Sequence, residues 1–319
     1  MKKTAVVLLN LGGPSSLEEV SPFLFSLFYD PAIITLPNPF RYLLAKFISR
    51  RRLKEAREIY SLLGGGSPLL KNTIEQAVSL ENELGNGFRV FVSMRHAPPL
   101  VKDTLKDIKT YQPDEIVLLP LYPQYSTTTT GSALKVWEET LKNENASVWS
   151  IHSYPCEFGF LEAMTEKTLI QYKKAQEFGK PLVLFTAHGL PKRLIKAGDP
   201  YQRQVEETIQ NLVANLNLPF LDYVICYQSR VGPLEWIGPS TEEMVISASC
   251  EKRPLVVVPV SFVSEHSETL VELDMTYRDL ALRKGCPSYQ RVETVQTHPF
   301  FIKGLARLVR ENKGKNCVF

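Results

Sequence analysis

Residues 264–274 concentrate side chains that bind metals or carry protons. They include one imidazole, His266, and four carboxylates, and they directly follow the apolar run 255–260. A buried strand that opens onto so many titratable groups must place them in a cleft or leave them in solvent. Because such nitrogen and oxygen donors suit divalent cations or proton transfer, we interpret this segment as a metal or proton site.

A second imidazole, His188, follows another apolar run at 182–185 and lies in the turn 186–191. A single histidine at a strand end is often only a hydrogen-bonded structural residue. Together with the acidic segment, however, His188 indicates metal or proton chemistry at the edge of a sheet.

Helix geometry constrains the acidic segment. At about 100° per residue, Glu265, Glu268 and Glu272 fall on one face of an α-helix, whereas His266 lies about 200° from Glu268. If His266 and Glu268 both point into the site, the backbone must depart from a regular α-helix, and a π-bulge is the departure we expect. The alternative is that His266 supports the site from behind.

The composition is that of an ordinary soluble globular protein, with 319 residues, 44% hydrophobic and 22% charged. A net charge of +3 without an aromatic-interleaved basic stripe predicts no nucleic-acid partner. Five scattered cysteines without CxxC spacing predict reduced thiols in a reducing compartment. The first apolar run, 5–9, is too short for a signal peptide, and no run approaches the roughly 18 residues of a membrane span. We therefore expect a cytoplasmic protein.

Short β-branched apolar runs alternate with segments of helical periodicity, which is typical of an α/β protein with a buried parallel sheet. The chain also resembles itself: residues 10–14 resemble 187–191, and 116–121 resemble 256–260. This repeat predicts two pseudo-equivalent doubly wound halves, 1–165 and 166–319, with their strand-end loops facing one crevice. We assign the last helix to the second half, with packing back on the first half as the alternative. The predicted strands are 5–9, 89–93, 115–119, 148–152, 182–185, 223–226, 255–258 and 291–295.

The segment of about 20–52 is unusually apolar. Asn38 is placed to cap a helix with Pro39 at its first position. One interpretation is a helix docked on the core with a solvated basic end at 50–52; the other is an interfacial helix on anionic lipid. The apolar stripe of this helix comprises Phe40, Leu43, Leu44, Phe47 and Ile48.

Six motifs, in this order, resemble those of the ferrochelatase family, whose members insert ferrous iron into a porphyrin to make heme. The resemblance spans nearly the whole chain and implies two Rossmann-like halves around a porphyrin cleft, each with a parallel four-stranded sheet flanked by helices. The motifs are Leu8–Pro14 (LLNLGGP), Gly64–Pro68 (GGGSP), Tyr122–Ser126 (YPQYS), Ala187–Pro191 (AHGLP), Tyr227–Pro233 (YQSRVGP) with Trp236, and Ser264–Asp274.

The resemblance implies that His188 and Glu268 face each other across the macrocycle as iron or proton ligands, and we expect them to come from separate halves. His266 joins them as a catalytic residue, and Glu265 and Glu272 form a path for protons or iron. An imidazole accepts a pyrrole proton near neutral pH, and carboxylates strip water from iron. Ligation must stay loose, because a closed site would keep the metal.

Substrate contacts are also implied by the resemblance. Arg51 and Arg52, with Ser67 and Ser229, would surround the porphyrin propionates through charge-assisted hydrogen bonds. Many relatives carry a lysine where Glu55 stands, which is a departure at this site. Apolar contacts to the macrocycle would come from Leu11, Tyr60, Tyr122 and Trp236, for which ordinary core packing is the alternative.

Two further departures concern single residues. His96 stands where relatives usually have tyrosine after Arg95, and its role is open. Some relatives carry a [2Fe–2S] cluster on C-terminal cysteines, but here only Cys317 lies near the end, so we expect no cluster and no tightly bound cofactor.

The sequence therefore predicts a metal chelatase that converts Fe²⁺ and protoporphyrin IX to protoheme and two protons, the terminal step of heme biosynthesis. Within this class, the alternatives are a coproporphyrin III ferrochelatase and a cobalt chelatase. Outside it, the chain would be a tetrapyrrole or iron carrier on the same fold, or a periplasmic-binding-like module, which the missing signal peptide disfavours. Peripheral contact with the inner membrane and the oligomeric state stay open.

Overall fold

Eight strands form two separate four-stranded parallel sheets in a computed structural model that describes residues 2–142, 147–230, 232 and 234–311. The chain divides into two compact units: unit 1 runs to Ser153 and resumes at Leu305, and unit 2 is Tyr154–Gly304. This division lies upstream of the predicted boundary after residue 165. Cys317 lies outside the described residues.

The sheet of unit 1 has the strand order β2-β1-β3-β4, with every neighbouring pair parallel. All residues of its two central strands, β1 and β3, are buried, which is why both read as continuous apolar runs in the sequence. The strands are β1 Thr4–Asn10, β2 Phe88–Met94, β3 Glu115–Pro120 and β4 Ser147–Ser150. The helices are α1 Val20–Tyr29, α2 Phe40–Leu62, α3 Leu69–Leu84, α4 Val101–Tyr111 and α5 Thr130–Leu141.

Helix α2 differs from its prediction at both its start and its apolar stripe. Asn38 does not cap it, because the helix begins at Phe40 and Pro39 occupies the N-cap position; Asn38 Nδ2 donates instead to the Tyr29 hydroxyl at 2.9 Å. Phe40, Leu43 and Phe47 are 63%, 60% and 61% exposed, so the docked interpretation of the stripe is wrong for these three residues. The buried positions of α2 lie on another face and are Ala45, Ser49 and Tyr60.

Unit 2 repeats the strand order of unit 1 as β6-β5-β7-β8, again all parallel. The strands are β5 Leu182–His188, β6 Tyr223–Gln228, β7 Leu255–Pro259 and β8 Tyr289–Arg291. The helices are α6 Phe158–Gln176, α7 Lys192–Lys196, α8 Tyr201–Leu216, α9 Thr241–Cys250, a π-helix Glu268–Tyr277 and α10 Arg278–Arg283; a last helix, α11 Pro299–Glu311, is divided between the units.

The strand register makes the internal repeat specific. Leu9 of β1 pairs with Pro120 at the end of β3, and Thr186 of β5 pairs with Pro259 at the end of β7. Counting from these equivalent pairs, Leu11 holds in unit 1 the position that His188 holds in unit 2. The predicted pseudo-equivalence of the two sheets is therefore confirmed at the level of single residues.

All eight predicted strands are present, but the last is displaced. Strand β8 ends at Arg291, whereas the sequence predicted 291–295. After Val292 donates to the Val257 carbonyl, Thr294 N–H donates to the Glu265 carboxylate and Gln296 N–H to the Val263 carbonyl. The apolar residues that follow Arg291 thus pack beside the loop after β7 instead of extending the sheet.

The segment does depart from a regular α-helix, but as a π-helix of ten residues that begins at Glu268, after His266, rather than as one bulge between His266 and Glu268. Such helices are rare and are frequent at functional sites.

Within the part of the chain that the structure describes, none of the helices combines the length and apolarity needed to cross a membrane.

Candidate functional site

His188 and Glu268 are in direct contact in unit 2. His188 is the last residue of β5 and Glu268 is the first of the π-helix that follows β7, so they meet at the carboxyl ends of neighbouring strands. Nδ1 of His188 lies 2.8 Å from Oε2 of Glu268. The expectation that they come from separate halves and face each other across the macrocycle is therefore wrong, because 2.8 Å leaves no room for a ring.

The contact couples the ionisation of the two groups. Burial disfavours the charge on His188, but the Glu268 carboxylate outweighs burial and raises the pKa of His188. Burial likewise acts against the Glu268 charge, but the charge and hydrogen bond of His188 lower the pKa of Glu268 to about 2. The contact therefore favours a protonated imidazole beside an ionised carboxylate.

Glu272 lies further along the π-helix and accepts hydrogen bonds from three residues. Gln228 Nε2 donates at 3.1 Å, the Ser229 N–H at 3.0 Å, the Ser229 hydroxyl at 2.5 Å and the Tyr277 hydroxyl at 2.9 Å. Burial, followed by the negative charge of Glu268, nevertheless raises the pKa of Glu272. Glu272 is therefore a carboxyl group suited to taking up a proton.

His266 precedes the π-helix and contacts its first turn. Its Nδ1 accepts the Glu268 N–H at 3.0 Å, and its ring packs edge-on against Phe262. Burial lowers the pKa of His266, so the imidazole is neutral. Its contact is with the Glu268 backbone rather than the Glu268 carboxylate, which is the geometry of a supporting residue.

Glu265 does not share a helix face with Glu268 and Glu272, and that expectation is wrong because Glu265 lies before the π-helix. Its carboxylate accepts from Arg291 Nη1 at 2.9 and 3.1 Å and from Thr294 N–H at 2.8 Å. Although burial opposes ionisation, Arg291 lowers the pKa of Glu265.

Gly189 and Trp236 lie against each other beside His188. A Cβ on Gly189 would lie 3.0 Å from the Gln228 carbonyl oxygen and 3.3 Å from Trp236 Cε3, so a larger residue here would have to displace one of these neighbours slightly. The buried indole N–H of Trp236 has no hydrogen-bond partner among the described residues. Val231 and Pro233 lie outside those residues.

In unit 1, the predicted contacts Leu11 and Tyr122 follow β1 and β3, which are neighbouring strands of the sheet. Leu11 is half-buried. Ser67 lies in the loop between α2 and α3, and its N–H donates to the Pro14 carbonyl at 2.7 Å. Burial raises the pKa of Tyr122 despite the opposing charge of Arg95.

The other unit 1 candidates lie on α2. Arg51 is exposed, and Arg52 Nε lies 3.9 Å from the Glu55 carboxylate. Tyr60 is 7% exposed and packs edge-on against Phe23, which favours the alternative of core packing.

His96 is buried in unit 1. Its Nδ1 lies 3.2 Å from the Ser26 hydroxyl and its Nε2 lies 3.7 Å from Asp30 Oδ2. Burial, followed by the charge of Arg95, lowers the pKa of His96 to about 3, so this imidazole is neutral. Arg95 itself pairs with Asp30 at 2.7 Å.

Three residues of the unit 2 site, Gln228, Tyr277 and Arg291, were not predicted. Gln228 and Arg291 each end a strand, which is the signal that identified His188. Among residues 2–142, 147–230, 232 and 234–311, no three His, Cys, Asp or Glu side chains form a group that could hold a metal ion.

Comparisons with known proteins identify the family. The profile of the family described as Ferrochelatase matches residues 3–313. The chain is 47% identical over 314 residues to a ferrochelatase of Pelagibacter ubique (96% of this chain, 90% of that one). It is 49% identical over 312 residues to one of a Wolbachia of Drosophila simulans (96% and 98%) and 48% over 319 residues to one of Caulobacter vibrioides (98% and 91%).

Among solved structures, SirB from Bacillus subtilis with Fe³⁺ matches with a TM-score of 0.55 at 12% identity, over 98% of this chain and 96% of SirB. The sirohydrochlorin chelatase SirB with cobalt matches with a TM-score of 0.51 at 11% identity, over 97% and 95%. At these identities the likeness concerns the fold alone.

Proposed function

The chain belongs to the ferrochelatase family of metal chelatases, and on that premise we propose that it inserts Fe²⁺ into protoporphyrin IX to form protoheme, releasing two protons as the terminal step of heme biosynthesis. The observation that supports this most directly is the 2.8 Å contact of His188 Nδ1 with Glu268 Oε2. It brings a nitrogen base and a carboxylate together at the strand ends where ligands of doubly wound sheets bind.

His188 moves the pyrrole protons. Because Glu268 engages Nδ1, Nε2 is the ring nitrogen left for the substrate. A proton that the imidazole already carries must first be passed on, and Glu272, with its raised pKa, accepts it and releases it to solvent before each further transfer. His188 then accepts a proton from the porphyrin, and the cycle repeats for the second proton.

Fe²⁺ enters as a substrate. His188 and Glu268 offer it one nitrogen and one oxygen donor, a set suited to a borderline divalent cation. Two protein donors leave coordination positions open, so the iron passes to the pyrrole nitrogens instead of being retained. His266 supports this pair through the Glu268 backbone, and no tightly bound cofactor is required.

The porphyrin contacts are carried over from the family resemblance. The exposed Arg51, together with Arg52 and Ser67, is proposed for the propionates. Leu11, Tyr122 and Trp236 are proposed for the macrocycle. Ser229 acts through Glu272, to which its hydroxyl is committed, and Tyr60 is assigned to the core.

Peripheral membrane contact in the cytoplasm is proposed from α2. Its exposed Phe40, Leu43 and Phe47 accompany the exposed cations Lys46 and Arg50 on the same helix. An apolar surface with adjacent cations suits the interface of an anionic bilayer.

An anaerobic absorbance assay tests the function. Wild-type protein with protoporphyrin IX and Fe²⁺ should convert the porphyrin bands to a metalloporphyrin spectrum, and His188→Ala should lower kcat by about 10² or more. His298→Ala is the matched control, because that imidazole pairs with Glu166 at 2.9 Å in the same unit.

Normal turnover by a folded His188→Ala would overturn the role of His188. Porphyrin binding without metallation by the wild type would favour the carrier alternative. If coproporphyrin III is metallated faster than protoporphyrin IX, or Co²⁺ is inserted faster than Fe²⁺, the corresponding alternative substrate would be assigned instead.

A further inference from the structure

Arg291 ties the acidic segment to the sheet at two points. It ends β8 and pairs in register with Val257 of β7, so its backbone is fixed in the sheet. Its side chain is only 6% exposed. Nη1 donates to both oxygens of Glu265 at 2.9 and 3.1 Å, and Nη2 lies 2.7 Å from Asp274 Oδ2. A single planar guanidinium thus connects two carboxylates.

These two carboxylates bracket the residues that do the chemistry. Glu265 immediately precedes His266, and Asp274 lies on the π-helix just beyond Glu272. His266 and Glu268 therefore lie on a segment whose two ends are held by the same buried cation. A shift of either end would move the Glu268 carboxylate relative to His188, which is fixed in the central strand β5.

Strand β8 makes another contact with the π-helix. The Tyr289 hydroxyl donates to the Leu273 carbonyl at 2.8 Å, next to Asp274. Asp274 also accepts from Arg278 at 3.3 Å, but the Arg278 side chain is 46% exposed, so solvent screens that pair. Arg291 is thus the buried partner of Asp274. Through Asp274 it also stabilises the position of the π-helix, a helix type that is rare.

We propose that Arg291 is a positioning residue for metal insertion, holding Glu265 and Asp274 so that Glu268 and Glu272 keep the geometry that proton transfer from His188 requires. This inference rests on the proposed chelatase function. Arg291 itself touches neither porphyrin nor iron.

The test uses substitutions that preserve charge or shape. Arg291→Lys keeps the cation but loses the planar fork, and Asp274→Asn keeps the side-chain shape but loses the anion. Each should lower kcat by about 10–100-fold, as loss of an outer partner of a metal site does, with the KM for porphyrin within about 2-fold of wild type. The double variant should be no slower than the slower single variant, because Arg291→Lys already disrupts the pair with Asp274 that Asp274→Asn removes.

Arg253→Lys is the matched control. Arg253 Nη2 pairs with Asp222 Oδ2 at the same distance of 2.7 Å in the same unit, but it contacts neither Glu265 nor the π-helix. Its kcat should match wild type. Thermal unfolding of every sample identifies variants that have lost their fold; if Arg291→Lys is among them, Asp274→Asn decides.

Wild-type kcat in folded Arg291→Lys or Asp274→Asn, or multiplying effects in the double variant, would overturn the positioning role. A raised porphyrin KM with unchanged kcat would also overturn it. Failure of the wild type to metallate porphyrin is a different result, which rejects the chelatase function itself.

Discussion

Tyr277 donates a hydrogen bond to Glu272 from a position five residues further along the same helix, with 2.9 Å between the phenol oxygen and Oε1. In an α-helix, side chains three and four positions apart are neighbours. In a π-helix the hydrogen-bonded turn closes at the fifth residue, which brings Tyr277 under Glu272. The environment of Glu272 therefore depends on the π-helix.

Tyr277→Phe should shift the pH dependence of turnover. The phenol hydrogen bond lowers the pKa of Glu272, so its loss raises a pKa that burial and Glu268 already raise. Glu272 then stays protonated to higher pH, and the acid limb of kcat/KM moves to higher pH, with kcat about 3–10-fold lower at neutral pH. Tyr223→Phe, at an exposed tyrosine of the same unit, is the control. An acid limb at the wild-type pH would refute this role of Tyr277.

Ser229→Ala separates a proton-path role from a propionate contact. The hydroxyl donates to Glu272 at 2.5 Å, whereas the Ser229 N–H remains in the variant. We expect kcat to fall about 3–10-fold with the KM for porphyrin within about 2-fold. Steady-state kinetics check this. Ser267→Ala is the control, because the Ser267 side chain makes no capping hydrogen bond to the π-helix. A rise in porphyrin KM at constant kcat would instead support the propionate contact.

The His188–Glu268 pair should make thermal stability depend on pH. The lowered pKa of Glu268 gives stability above about pH 4.3 that is lost as the pH falls to about 2. The raised pKa of His188 gives stability below about pH 6.5 that is lost as the pH rises through the raised value. Wild type should therefore exceed Glu268→Gln in Tm by roughly 3–5 °C near pH 5–6, and by less at pH 3 and pH 9.

Calorimetry across this pH range measures the Tm difference. Glu293→Gln, whose exposed carboxylate pairs with Lys167, is the control and should show little difference at any pH. A wild-type advantage over Glu268→Gln that stays constant from pH 3 to pH 9 would contradict the coupling.

Leu43→Asn should weaken binding to vesicles of phosphatidylcholine and phosphatidylglycerol. Burying a leucine side chain contributes about 1.5–3 kcal/mol, so the apparent affinity should fall by roughly 10-fold or more. Leu282→Asn is the matched control, since Leu282 of unit 2 is 53% exposed and Leu43 is 60% exposed. Sedimentation with vesicles measures binding. Equal loss in both variants, or no wild-type binding, would reject α2 as the contact.

The sheets could be predicted from sequence because buried parallel strands leave uninterrupted apolar runs, as in β1 and β7. Strand β8 shows the limit of this signal. Its residues Tyr289–Arg291 are not an apolar run, whereas the apolar positions that follow are buried against the loop after β7. Burial alone does not tell a strand from a buried loop.

The site was predicted in its residue types but not in its geometry. The helical-angle argument assumed one helix that contains Glu265, His266 and Glu268, but such angles cannot tell where a helix begins. The π-helix begins at Glu268, so Glu265 lies before it and pairs with Arg291. That pairing joins residues 26 positions apart, and no local pattern reports it.

The equivalence of Leu11 and His188 has a bearing on ancestry. Two sheets of one topology, aligned residue for residue, are what tandem duplication of a half-length gene leaves behind. At the shared position, unit 2 carries the imidazole of His188, which is a Lewis base, and unit 1 carries the unreactive side chain of Leu11. At this one position, the two copies therefore differ in chemistry through a side chain rather than through the scaffold.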